Sequence, residues 1–108
     1  MTVLFSKMLA PVNGYSVLFE ALEEDETIQN HFSFENCGVD HKPNYLARKV
    51  RDGRAVWFCA KVTLSNGEKD SSQYLGCCYY DSFEQFIESS DYFADMVEEA
   101  YAELEKGE

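Results

Sequence analysis

The residues with the widest chemical repertoire are the four cysteines, Cys37, Cys59, Cys77 and Cys78, and the two histidines, His31 and His41. Cys37 and His41, with three residues between them, and His31 upstream supply soft donors that zinc could use. Structural zinc sites, however, pair ligands two to four residues apart on two separate turns. The adjacent Cys77 and Cys78 do not form such a pair, because neighbours in a strand point to opposite faces of the sheet. Cys59 and one of Cys77 and Cys78 are expected to be small buried hydrophobes. Cys37 beside Gly38 could be a reactive thiol with His31 or His41 as base. No nucleophile elbow, oxyanion loop or glycine-rich phosphate cradle accompanies it. The residues call for no cofactor or metal, and the expectation is that the protein is not an enzyme.

Charge is the stronger signal. The 108 residues carry a net charge of −11, and that charge is segregated along the chain. Residues 1–41 hold one cation against seven acids, residues 42–69 seven cations against two acids, and residues 70–108 one cation against eleven acids. In "SDYFADMVEEAYAELEKGE", a helix from Asp91 places Asp91, Asp95, Glu99 and Glu103 at successive i, i+4 positions, with Glu98 beside them. Like charges at that spacing destabilise a helix by a few tenths of a kcal/mol per pair. Each step advances about 6 Å along the axis, close to the separation of successive phosphates on a nucleic-acid strand. Glu84 and Glu88 extend the row if the preceding helix is collinear. "EALEEDE" adds a second cluster through Glu23, Glu24, Asp25 and Glu26. A face serving solubility alone would profit from Glu-to-Lys pairs at i, i+4, and this one forgoes them. The pattern points to a surface that meets a basic protein partner.

A protein of this size with such a surface fits an inhibitor that mimics nucleic acid and blocks a nuclease or other nucleic-acid-handling complex. Anti-CRISPR and antirestriction proteins of phages and plasmids, and immunity proteins against nuclease toxins, are of that kind. The alternative is a nucleic-acid or nucleotide-binding module on the basic segment, using Arg48, Lys49, Arg51 and Arg54 with Tyr45 and Trp57. Arginines and aromatics on one surface can take phosphates and stack bases. A second alternative is a thiol or metal site at Cys37 and His41. A field of −11 disfavours direct contact with nucleic acid or anionic lipid. Tyr92 and Phe93 near the ladder would suit an interface or a homodimer equally.

These residues need a scaffold, and the length allows one domain over residues 1–108. Eight Phe, seven Tyr and one Trp are ample for a core. No apolar run has the length of a membrane span, and "MTVLFSKMLAPVNG" lacks the basic start of a signal peptide. With an adjacent cysteine pair ill suited to disulfides, a reduced, cytoplasmic protein is expected.

Residues 2–9 suit a first strand, followed by a turn at Pro11, Asn13 and Gly14. Residues 16–24 fit a short helix capped by Ser16 or a strand equally well, and "HFSFE" looks extended before a loop over 36–44. "YLARKV" and "AVWFCAKVTL" flank "RDGR", whose Asp52-Gly53 pair predicts a hairpin turn. Val56, Phe58, Ala60, Val62 and Leu64 share one face of the second strand. A turn at Asn66-Gly67 leads to a third strand, "QYLGCCYY". Helices follow from Asp81 or Ser82, divided near Ser90, with Phe83, Phe86, Ile87, Val97, Tyr101 and Leu104 on the apolar stripe and Phe93 or Ala94 bridging. Strands followed by helices predict an α+β fold, an antiparallel meander of three or four strands with C-terminal helices on one face.

Overall fold

The computed structural model describes residues 2–27 and 43–106 of the chain. Four antiparallel strands form one sheet in the order β1-β2-β3-β4. They are β1 (Val3–Val12), β2 (Tyr15–Leu22), β3 (Val56–Ser65) and β4 (Asp70–Tyr80). A helix α1 (Pro43–Arg51) precedes β3, and α2 (Phe83–Ser89) and α3 (Asp91–Lys106) follow β4. The α+β meander with C-terminal helices is therefore the architecture, and the strand expected over residues 2–9 is present as the fourth, Val3–Val12.

Alternation decides the strands. Along β2, Tyr15, Val17, Phe19 and Ala21 are buried while Ser16, Leu18 and Glu20 are half-exposed, a period of two that excludes the helix for residues 16–24. The chain enters β2 through Asn13 and Gly14, both at positive φ (49° and 88°), the pattern of a tight hairpin turn. Pro11 lies within β1 and not in that turn. On β3, Phe58, Ala60, Val62 and Leu64 are fully buried under the helices, as their spacing requires.

One expected strand is a helix. "YLARKV" lies in α1, and no 52–53 hairpin exists. Leu, Ala, Arg and Lys are all good helix formers, and Asp52-Gly53 ends that helix instead of turning a hairpin. Gly53, at φ 80°, donates its N–H to the Val50 carbonyl (3.1 Å), and Arg54 donates to Lys49 (2.8 Å). Those two bonds are the Schellman stop. Pro43 and Asn44, expected in a loop, open α1. The "HFSFE" segment lies outside the described residues.

α2 and α3 cover one sheet face. Ser82 caps α2 by accepting the Gln85 N–H (3.0 Å), while the Gln85 side chain accepts the Asp81 N–H (2.7 Å). Ser90, extended at φ −88° and ψ 128°, separates the helices, and its hydroxyl accepts the Tyr92 N–H at 3.1 Å. Phe86 is the hub of the core. Its ring meets Phe19, Phe58, Tyr80 and Phe93 at centroid distances of 5.0–6.1 Å. Phe5 stacks on Phe83 at 4.8 Å and ties β1 to α2. α3 buries Met96, Ala100 and Leu104, with Phe93, Val97 and Tyr101 half-buried. Phe93, not the exposed Ala94, bridges the stripe.

The candidate acidic surface

α3 sets the carboxylates by anchoring its opposite side. With Met96, Ala100 and Leu104 turned into the sheet, Asp91, Asp95, Glu98, Glu99 and Glu103 are all exposed. They do not form one face. Asp95 and Glu99 border a recess of about 290 Å³ with Gln73, Tyr74, Leu75 and Tyr92. Further along, Glu103 accepts a hydrogen bond from the Gln73 side-chain amide (3.1 Å). The row thus runs beside β4, the strand at one edge of the sheet. Glu98 lies on the other flank of α3, lining a groove with Leu9, Val12 and Val17 near β1 and β2. Glu84 and Glu88 are exposed on α2, but extended Ser90 interrupts the helical step between Glu88 and Asp91.

The second acidic cluster is held apart from the first. Glu23, Asp25 and Glu26 are exposed after β2. Glu24 is half-buried and folded inward, accepting the backbone N–H groups of Cys77 (2.5 Å) and Glu26 (3.1 Å). Its charge, with that of Asp25, reinforces the upward shift that burial imposes on the Cys59 thiol. Cys59 alternates with the helix-covered Phe58 and Ala60, so the cluster gathers on the uncovered side of the sheet. There Glu20 also pairs with Lys61 (3.9 Å), whose ammonium sits 5.5 Å from the Tyr74 ring centroid.

The basic residues divide between a helix and the loop after it. Arg48, Lys49 and Arg51 occupy the last turn of α1, where cations complement the helix dipole. Arg48, Arg51 and Arg54 are exposed, and Lys49 is half-buried. Tyr45 belongs to the same helix. Trp57 lies on β3, its indole N–H donating to the Glu26 carbonyl at 2.8 Å. The basic segment is therefore a helix and the turn after it, not the hairpin its Asp52-Gly53 pair predicted. Two ion pairs join described residues, Arg54–Asp52 (3.4 Å) and Lys61–Glu20. Neither links the basic segment to the α3 row.

The three described thiols, Cys59, Cys77 and Cys78, lie on β3 and around an irregularity in β4. A bulge between Phe58 and Ala60 takes in Gly76 and Cys77, and Cys77 adopts φ 58°. Cys78 is buried on the helix side, its thiol pushed up to about 12 by burial. Cys77 is half-buried, and burial followed by Glu24 raises its thiol as well. No cluster of three His, Cys, Asp or Glu among the described residues could hold a metal ion. His31, Cys37 and His41 lie outside the described residues.

Fold and surface together define a small α+β domain with one four-stranded sheet, helices on one face and acidic patches on both sides. No family model, no curated protein and no solved structure matches the chain. No helix among the described residues is long and apolar enough to cross a membrane.

Proposed function

We propose that the protein is a non-enzymatic, cytoplasmic inhibitor that binds and blocks a basic, nucleic-acid-handling protein through the carboxylate row of α3. The observation that carries this reading is the row itself. Asp91, Asp95, Glu99 and Glu103 are exposed, lie at i, i+4 spacing and form no ion pair within 4 Å with another described residue. The helix bearing them is pinned by three buried side chains, Met96, Ala100 and Leu104. A rigid row of charge loses little freedom on docking, and electrostatic steering raises the association rate. Such a surface can occupy the channel that a nuclease keeps for phosphates, as anti-CRISPR, antirestriction and toxin-immunity proteins do. The Glu23, Asp25 and Glu26 cluster, on the other side of the sheet, would serve a second contact and not enlarge the first.

The test is binding to a basic nuclease at low and high salt, with DNA as competitor. The reading expects affinity to fall steeply with salt and with charge reversal at Asp95, Glu99 and Glu103. Indifference to both overturns it. The competing reading places nucleic acid on Arg48, Arg51 and Arg54, which are exposed and joined to the acidic row by no ion pair among the described residues. A gel shift with single-stranded DNA or RNA distinguishes the two, because the inhibitor reading expects no shift.

A further inference from the structure

β1 is the most open element of the sheet. It hydrogen-bonds to β2 along one edge and to no described strand along the other. Seven of its ten residues are exposed. Val3 and Leu4 (both 48%) and Met8 (59%) are among the few large apolar side chains that the described residues leave exposed. A long apolar edge strand is a template for another strand, and proteins ordinarily blunt such edges with charge. β1 has one charge, Lys7, and no acid precedes Glu20. Beside it, on the helix-covered side, runs an apolar groove of about 460 Å³ between β1 and α3. Leu9, Val12, Ile87 and Val97 line it, with Glu98 as its acid.

We propose that β1 pairs antiparallel with β1 of a second copy across a twofold axis, joining two sheets into one of eight strands. Pairing with β2 fixes the faces. Lys7 is registered with buried Phe19, and Met8 with Leu18, so Lys7 and Leu9 share the helix side and Met8 the open side. A twofold through Lys7 would set two like charges directly opposite, which is destabilising. A twofold through Met8 puts the most exposed large apolar side chain of β1 against itself. It also sets Lys7 opposite Leu9 of the second copy, beside that copy's Glu98. A neighbouring strand lies about 4.8 Å away, within reach of a lysine stem across the groove. The ion pair is made twice, once for each copy, and covers the apolar groove. Charge complementarity selects this occupant: a strand from a basic partner would bring cations against Lys7, whereas a second copy brings one lysine to each Glu98. The edge used here is opposite the β4 edge that carries Asp95 and Glu99. The dimer therefore stands independently of the inhibitor reading and leaves both carboxylate rows outward.

Sedimentation velocity on the full chain, under reducing conditions and over a range of concentrations, tests the proposal. The expected species has twice the 12.4 kDa mass of one chain. Met8→Lys and Lys7→Glu are each expected to weaken the dimer at least tenfold, with circular dichroism unchanged. Combining Lys7→Glu with Glu98→Lys is expected to restore it. A monomer at every concentration overturns the proposal. So does a dimer that ignores Met8→Lys and Lys7→Glu, or one that the double reversal fails to restore.

Discussion

Glu24 reaches from the end of β2 to the bulge in β4, where its carboxylate accepts the Cys77 N–H at 2.5 Å. A bulge leaves a backbone donor without its ladder partner, and here a side chain supplies one. The contact is close enough that a Cβ added at Gly76 would stand 3.1 Å from the same carboxylate oxygen. What reads in the sequence as part of an acidic cluster is, at this one position, a structural clasp.

Removing the clasp separates two effects. Glu24→Ala is expected to lower stability by about 1.5–3 kcal/mol, the range for a hydrogen bond to a charged group, seen as a lower urea midpoint. Glu24→Gln keeps an acceptor and removes the charge. Because burial first and Glu24 next hold the Cys59 and Cys77 thiols high, Gln should release more thiolate. In a Cys37→Ser background, the rate of thiol labelling at pH 8 should rise severalfold. An unchanged rate would assign the upward shifts to burial alone.

Alkaline pH should destabilise the protein more than acid-base chemistry at its surface would. The Cys78 thiol is held at about 12 against an ordinary 9.0, chiefly by burial. Tyr15 is raised above 10.0 by burial and by the hydrogen bond to Glu105. Above pH 9 the unfolded chain loses its thiol protons while the folded chain keeps the Cys78 proton. The folded state then binds more protons, and stability falls with rising pH. The contribution is complete below pH 9 and is lost as pH rises toward 12. Urea midpoints from pH 7 to 10.5 should decline, and Cys78→Ala should flatten the decline while lowering the plateau at pH 7.

Phe86→Ala tests where the core is concentrated. The ring is fully buried and meets four other aromatic rings. A loss of about 3–5 kcal/mol is expected for a buried aromatic truncated to alanine, a large part of the roughly 5–15 kcal/mol that holds a typical domain. Chemical denaturation measures it directly. Phe83→Ala, at a half-buried position that also braces Phe5, should cost less and loosen β1, visible as faster amide exchange in Phe5–Leu9.

Sequence patterning located β3, β4 and the two C-terminal helices because their periods are clean and their breaks carry signals, Asn66-Gly67 in one case and Ser82 and Ser90 in the others. "RDGR" was ambiguous in principle. Asp-Gly supplies the positive φ that a hairpin turn needs and equally the one that a helix stop needs, and only the tertiary setting chooses. Residues 16–24 carry apolar positions compatible with both periods, and burial between β1 and β3 selects the strand. Met96 and Ala100 escaped the predicted stripe because the apolar Val97 and Tyr101 beside them fit a neighbouring face. The exposure of the carboxylate row followed from spacing alone. Its division into a β4 flank and a groove flank at Glu98 did not, since that depends on which strands α3 crosses.

The row also allows stability and binding to be set against each other. Glu99 stands four residues after Asp95 and four before Glu103, so it takes part in two like-charge contacts. Glu99→Lys converts both to attractions, each contact being worth about 0.2–0.5 kcal/mol. The acid-then-lysine order from Asp95 is the better of the two. The substitution should raise the melting temperature by a few degrees at low salt, and added salt should erase the gain by screening both contacts. A face kept acidic only for solubility would accept that change without consequence. A face that meets a basic partner would be stabilised and disabled by the same residue. Measuring the melting temperature and the affinity for a basic nuclease on one Glu99→Lys preparation sets these apart. Gain in stability with unaltered affinity would remove the row from the interface, whereas opposite movement of the two would place Glu99 within it.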